Sequence, residues 1–343
     1  LGQRFRLLGQ AGEPIEITAH DSPSQLRLAK PLPGGTPLDQ AIEIAFDVEA
    51  PILAARIATG TPAGQALPPM VMHLATTRGT NALLEEKGAE VTLFITRGFE
   101  DLLVIGDQKR PDLFALNVQK PAPLTANVVG VDERLNALGQ VLRPLTLPAI
   151  DPPKNENQSA AVVCLHSHRN PEHEQRLAKH LRDAGWQHVS VSSDLAAVIK
   201  VLPRAETTVV DAYLSPIMTR YLEGVERELA SGKLHVMTSA GGLVSRADYR
   251  AKDSLLSGPA GGVVGAAMAG RQAGFERIIG FDMGGTSTDV CRFDGDFDYH
   301  FEHRVGRARV LAPVLAIETV AAGGGSICGF NGDELFVGPE SAG

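Results

Sequence analysis

Hydrophobic and polar positions change their rhythm several times along the chain, and each change marks an element. Over residues 1–50 short alternating patches, FRLL, IEITAH and LRLAK, stand among Pro and Gly and predict small antiparallel strands joined by turns. From residue 70 the runs lengthen. VMHLATT reads as a buried strand, RGTNALLEEKGA as a helix closed by Gly88, VTLFIT as a strand, and RGFEDLLVIG as a helix ending at Gly106. The Pro-rich stretch 141–154, with PAIDPPKNENQS at its end, predicts an exposed connection. Strand AAVVCLHS, helix NPEHEQRLAKHLRDAG and strand HVSVSS then make another βαβ-like unit. After Pro203 a long amphipathic helix is expected from Thr207 to Ala230, followed by strand LHVMTSAGG. No fixed-period repeat is present. Alternation of strands and helices predicts α/β packing, with a domain boundary near residue 200.

The next stretch concentrates small residues. In LLSGPAGGVVGAAMAG, Gly258, Gly261, Gly262, Gly265 and Gly270 recur at roughly helical spacing. Each Gly lowers helix stability by up to about 1 kcal/mol relative to Ala, so such a helix gives up stability for close approach of another backbone. RIIGFDMGG then predicts a buried strand ending at Asp282, Gly284 and Gly285 a tight turn, and TSTDVCRF the second strand of a hairpin.

A turn free of side chains can present N–H groups to an anion, and the Thr286, Ser287 and Thr288 hydroxyls add donors. Carboxylates beside an anion cradle call for a cation between them and the phosphate. Mg²⁺ takes one or two carboxylates, waters and phosphate oxygens, so Asp282 and Asp289 suggest magnesium-nucleotide chemistry, with the metal held through water. An ordinary hairpin turn is the competing reading of D-M-G-G alone.

Composition narrows the partners. The chain has 343 residues, 43% hydrophobic and 21% charged, enough for about two domains with real cores. A net charge of −8 offers no basic footprint for nucleic acid. Cys164, Cys291 and Cys328 lack C-x-x-C spacing, which suits a reducing, cytoplasmic compartment. No apolar run reaches the length of a membrane span and no signal peptide opens the chain. The chain starts without Met and stops at VGPESAG just after a strand-like run, so it reads as a piece of something longer.

Other patches carry competing readings. In AAGGGSICGF, Gly324, Gly325 and Ser326 line a nucleotide or substrate, or form a bulged turn. TSAGGL ends a strand near the same cleft. Cys164, His166 and His168, at i, i+2 and i+4, would share one face of a strand in ligand-like spacing, against the plainer reading of a strand end feeding a helix. His300 and His303 read as strand surface. Thr76, Thr77 and Asn81, where a strand meets a helix N-terminus, are substrate contacts or helix caps. No G-x-S-x-G elbow, H-E-x-x-H or G-x-x-x-x-G-K-[ST] occurs.

Small-residue helix, apolar strand and D-x-G-G-T hairpin in succession resemble the connecting helix and second phosphate loop of the actin, sugar-kinase and heat-shock chaperone superfamily. TTRGTNALLEEKGA, RPDLFAL, VMTSAGGL, SGPAGGVVGAA, DMGGTSTDV, TVAAGGGSI and VGPESAG, in this order, resemble the hydantoinase A / 5-oxoprolinase family over about residues 70–343. The resemblance implies an α/β, ribonuclease H-like (actin-like ATPase) fold of mixed sheets flanked by helices, with a small β-rich segment at the start. It divides the chain into an N-terminal region, 1–200 (a variable segment 1–50 and α/β from 70), and an ATPase domain from 201, truncated at its C-terminus.

It further implies a component of an ATP-dependent cyclic-amide hydrolase. ATP phosphorylates the amide oxygen of a 5-oxoproline or hydantoin ring, and a B-type subunit or domain acts as partner. Asp282 and Asp289 organise Mg²⁺, Gly284, Gly285, Thr286 and Thr288 hold phosphate, and Ser257, Gly258, Gly261 and Gly262 support the loop. The alternatives are a ketone carboxylase subunit and a nucleotide-responsive binding module without catalysis. An oligomer is allowed but not specified. The family's first phosphate hairpin, D-x-G-G-T-F-T-D, does not precede TTRGTNALLE here, which implies weak nucleotide binding, or none, by this span alone.

Overall fold

The computed structural model describes residues 3–7, 13–22, 25–32, 36, 41–46, 48–108, 114, 116–117 and 120–342. The RPDLFAL word, apart from Phe114 and Leu116, lies outside the described residues, as do Leu8 of FRLL and Gly343 of VGPESAG. The chain divides into one unit of residues 1–72 with 220–234 and another of residues 73–219 with 235–343.

In the first unit the alternating patches become β1 (Gln3–Leu7), β2 (Ile15–Ser22), β3 (Gln25–Leu28) and β4 (Ile42–Phe46), an antiparallel sheet ordered β3-β2-β1-β4. Leu7 and Ile17 form its small core with Leu26, Leu28 and Ile44 against them. Helix α1 (Ala50–Thr59) starts with Pro51 in its first turn and stops at Gly60, whose φ of 64° is the left-handed conformation a glycine adopts without a Cβ clash.

Strand β5 (Val71–Leu74) runs across the boundary at residue 72, and α2 (Arg78–Leu84), β6 (Glu90–Thr96) and α3 (Leu102–Ile105) follow in the second unit. Helix α2 ends before Gly88, which serves packing and not capping. A Cβ there would sit 1.9 Å from the Tyr213 ring. Then follow β7 (Thr125–Leu135), β8 (Val141–Thr146), β9 (Gln158–Val163), α4 (Glu172–Asp183), β10 (Val189–Val191) and α5 (Ser192–Leu195). Strands β10-β9-β6-β7 are parallel, and β8 closes the edge antiparallel. Burial on both faces explains the continuous apolar runs of VTLFIT and AAVV. Phe94, Val131, Val162, Leu177, Leu181 and Trp186 make the core beneath α4.

Helix α6 (Val201–Glu228) begins earlier than expected. Pro203 lies inside its first turn, where a missing N–H costs nothing. Its N-terminal half is not amphipathic: Arg204, Thr207, Thr208 and Asp211 are as buried as Val209 and Leu214. These polar groups are satisfied internally, Thr207 and Thr208 by the carbonyls of Pro203 and Arg204, and Asp211 by Ser190 Oγ (2.6 Å) and the Lys252 N–H (2.9 Å).

Beyond it come β11 (Lys233–Met237), β12 (Leu243–Ser245), α7 (Ser257–Gln272), β13 (Arg277–Met283), β14 (Thr288–Asp294), β15 (Tyr299–His300), β16 (His303–Val305), β17 (Ala308–Val310), β18 (Val314–Leu315), β19 (Ile317–Val320), β20 (Ser326–Phe330) and β21 (Leu335–Ser341). Strands β13-β14-β19 form an antiparallel sheet. Helix α7 packs on it through Ala260 and Val263, with Leu315 and Cys291 at the contact.

Candidate active site

The DMGGTSTD stretch folds as the hairpin its pattern predicts. In the β13–β14 ladder Met283 faces Thr288 and Asp282 faces Asp289. Gly284 N–H donates to Ser287 O (2.9 Å), leaving Gly285 and Thr286 as the bend. The Gly284 amide is therefore spent inside the turn. The N–H groups of Gly285, Thr286 and Ser287 donate to no described residue, and the bend is exposed. Successive free N–H groups of this kind form an anion-binding concavity.

The AAGGGS stretch braces this corner. Gly324 and Gly325 N–H groups donate to Gly284 O (2.9 Å) and Gly285 O (2.7 Å), so these two glycines hold the bend and offer no free amide. Ser326 Oγ accepts from Gly323 N–H (2.8 Å), closing its own turn. Thr288 is buried and its hydroxyl donates to Ala322 O (2.6 Å), another structural bond. Thr286 alone of these positions keeps an exposed hydroxyl at the tip.

Asp282 and Asp289 line a cavity of about 220 Å³ with Pro259, Gly262, Val263 and Ala266 of α7. Like charges directly opposite on a ladder repel each other. Among the described residues no Lys, Arg or His contributes to this lining. Two facing carboxylates with no cationic side chain beside them fit a divalent cation that completes its shell with water and phosphate oxygens. Among the described residues no group of three or more His, Cys, Asp or Glu could hold a metal unaided.

Sequence reasoning missed a third member of this row. Thr319, opposite Asp289 on β19, donates its hydroxyl to Asp289 Oδ1 (2.7 Å) and so fixes one carboxylate oxygen. Only the register of β14 against β19 reveals it.

Helix α7 begins at Ser257 after Leu256, which takes φ 64°. Ser257 is buried and donates to Thr76 O (2.8 Å). A Cβ at Gly258 would meet Thr77 Cγ2 at 2.9 Å, and one at Gly261 would meet Ala75 at 3.1 Å. The small residues thus admit the chain entering α2, which brings Thr76 and Thr77 to the start of α7. Gly262 and Gly265 have nothing within 4 Å, and Gly262 opens onto the cavity. Thr76 Oγ1 accepts from Arg78 N–H (3.1 Å), a capping role, while Asn81 is exposed on α2.

The Cys164, His166, His168 reading fails on backbone geometry. Strand β9 stops at Val163, and His166 sits in a turn at φ 64°, so the three side chains share no strand face. Cys164 is instead fully buried, and burial, reinforced by Glu174, pushes its thiol pKa well up. Arg204, also buried, donates to Cys164 O (2.7 Å), and Glu174 accepts from Cys164 N–H (2.7 Å) and Ser192 Oγ (2.6 Å). His300 is exposed as expected, whereas the ring nitrogens of His303 are buried, and burial lowers its pKa.

The family model described as hydantoinase/oxoprolinase matches residues 204–343, and that of the hydantoinase/oxoprolinase N-terminal region matches residues 57–185. 5-Oxoprolinase 1 of Arabidopsis thaliana is 40% identical over 304 residues, 79% of this chain and 24% of that protein. Caprolactamase subunit alpha of Pseudomonas jessenii is 34% identical over 290 residues, 78% of this chain and 41% of that protein. This chain therefore spans about a quarter of the oxoprolinase and two fifths of the caprolactamase subunit. The crystal structure of the ATP-dependent caprolactamase from P. jessenii superposes with a TM-score of 0.68 at 28% identity, covering 96% of this chain and 50% of that one. Nucleotide-free acetone carboxylase gives 0.63 at 24% identity over 80% of this chain and 42% of its own, a likeness of fold alone. The expected actin-like ATPase fold, mixed sheets flanked by helices, is the one these structures share with the chain.

Proposed function

Because this chain belongs to the hydantoinase/oxoprolinase family, we propose that it is part of an ATP-dependent enzyme that opens cyclic amides. The observation that carries the reading is the Asp282–Asp289 pair, which lines a cavity and stands in register across a hairpin whose Gly285, Thr286 and Ser287 amides donate to no described residue. ATP and Mg²⁺ are the cofactors of the proposal, and a cytoplasmic home accords with three free cysteines.

An amide resists hydrolysis because resonance makes its carbonyl a poor electrophile and its nitrogen a poor leaving group. Transfer of the γ-phosphoryl to the amide oxygen, with ADP departing, relieves both. Water then adds to the carbon, the C–N bond breaks as the nitrogen takes a proton and the ring opens to an acyl phosphate, and a second water releases the carboxylate and phosphate. Bound Mg²⁺ would neutralise the charge on the transferring phosphoryl group. The chain's share is positional and electrostatic: Asp282 and Asp289 hold the metal's waters, and the Gly285, Thr286 and Ser287 amides with the Thr286 hydroxyl hold phosphate oxygens. Gly284, Gly324, Gly325 and Thr288 keep the corner in shape, and Ser257, Gly258 and Gly261 seat Thr76 and Thr77 at the start of α7. A B-type subunit completes the hydrolysis. The same proposal divides the chain into an N-terminal region, 1–200, and an ATPase region from 201, a reading supported by family matches that end at residue 185 and resume at 204.

The test is ATP hydrolysis by the full-length protein with and without 5-oxoproline, hydantoins or ketones, repeated with Asp282→Asn. A cyclic amide should stimulate a magnesium-dependent rate that collapses in the variant. An unchanged rate removes Asp282 from the mechanism, stimulation by a ketone with bicarbonate makes the protein a carboxylase subunit, and nucleotide binding without turnover makes it a binding module.

A further inference from the structure

Another cavity of the second unit shares no residue with the hairpin site. It holds about 530 Å³ and is bounded by α3, the segment 120–124, Glu206, Val209 and Val210 of α6, and residues 304–309 of the β16–β17 hairpin. That volume lies in the range of small-molecule sites, roughly 300–1,000 Å³.

Its charges fall into two sets. Arg309, nearly buried, pairs with Glu206 (2.5 Å) and has Asp107 (3.8 Å) and Glu302 (3.7 Å) within ion-pair range, so three carboxylates offset its charge. Burial raises the Glu206 pKa, and Arg309 opposes that shift. The other set is exposed and underused. Among the described residues Lys120 Nζ bonds only the Ile105 carbonyl (2.7 Å), and Arg304 has a single ion-pair contact, with Asp107 at 3.9 Å, beyond hydrogen-bond distance. Neither has a carboxylate at hydrogen-bond distance among the described residues. Arg307 spends its donors on Ala122 O (3.2 Å) and Glu86 (3.3 Å). Beside the two underused cations stands an apolar wall of Val104, Ile105, Leu124, Val209 and Val210, with Val104 63% exposed.

We infer that this cavity is a second ligand site, for a small organic monocarboxylate whose apolar body lies along Val104 and Leu124 and whose carboxylate is taken by Lys120 and Arg304. A guanidinium suits a carboxylate because its planar donors can match both oxygens. The inner carboxylates, Asp107 and Glu206, set the upper limit on charge: they repel a polyanion, so a nucleotide triphosphate is excluded and a single negative charge is selected. This inference is independent of the hairpin reading. Such a carboxylate has two sources, the substrate of the proposed reaction or an unrelated regulator.

The test is calorimetric titration of the full chain with 5-oxoproline and with hexanoate, each beside its uncharged counterpart, 2-pyrrolidinone and hexanamide. Saturable binding of at least one carboxylate is expected, tighter than its counterpart by about ten- to a hundredfold, the scale of a hydrogen bond to a charged group. The double variant Lys120→Gln/Arg304→Gln, at two exposed side chains, should lose that margin, and Val104→Trp should lose binding by filling the cavity. Asp282→Asn should leave it unchanged. Preference for 5-oxoproline assigns the carboxylate to the reaction, and preference for hexanoate to a regulator. The inference is overturned if neither carboxylate saturates, if the uncharged partners bind equally well, if the double variant binds as before, or if Asp282→Asn abolishes binding.

Discussion

Gly323→Ala gives a sharp test of how the corner is built. A Cβ on Gly323 would lie 2.6 Å from Gly284 O, 2.7 Å from Gly285 C and 2.8 Å from Gly285 O. All three atoms are backbone, so no rotamer change relieves the clash. The 321–326 turn must back away from the bend, stretching the bonds from Gly324 N–H to Gly284 O (2.9 Å) and from Gly325 N–H to Gly285 O (2.7 Å). Overpacking costs about 1–3 kcal/mol, and two weakened hydrogen bonds add about 1 kcal/mol. A local cost of roughly 2–4 kcal/mol should speed amide exchange at Gly324 and Gly325 by about 30- to 700-fold. Gly324→Ala is the control, because its Cβ would stand 3.8 Å from Gly284 O, an ordinary contact. Exchange in Gly323→Ala at the wild-type rate, or a larger effect in Gly324→Ala, refutes the account.

Asp282→Asn removes the like charge facing Asp289. Without metal it should raise stability by about 0.2–0.5 kcal/mol at low salt, while magnesium with ATP should raise the melting temperature of the wild type and not of the variant. Asp211 is a carboxyl whose pKa burial raises. An acid raised by folding favours the folded state when protonated. Its contribution is thus complete below the unfolded value, about 3.9, and fades as pH climbs through the folded one. Wild-type stability relative to Asp211→Asn should fall over that window, and urea melts at a series of pH values showing a constant or rising difference would contradict this. Arg204→Met leaves the Cys164 and Val198 carbonyls without their donor. Urea denaturation should show a loss of about 1–3 kcal/mol, the scale of leaving a buried acceptor unsatisfied.

Much of this protein is written in local patterns. Alternation with period two marked the N-terminal strands, continuous apolar runs marked β6 and β9, and paired glycines after Asp282 marked the hairpin, because each feature acts through neighbours in sequence. What depended on distant residues was not legible. Pro203 reads as a break, yet the first turn of α6 accepts it. Thr207, Thr208 and Asp211 read as a solvent face until tertiary partners bury and satisfy them.

The sequence alone determined the small-residue helix, the hairpin and the carboxylate on each arm, since spacing along a strand sets which residues share a face. Only the tertiary structure decided what each group is free to do. It spent the Gly284, Gly324 and Gly325 amides on one another, left those of Gly285, Thr286 and Ser287 open, and set Thr319 beside Asp289. The physical reason is that a hydrogen-bonding group binds a ligand with what its own fold leaves unpaired, and that remainder is settled by contacts between segments far apart in the chain.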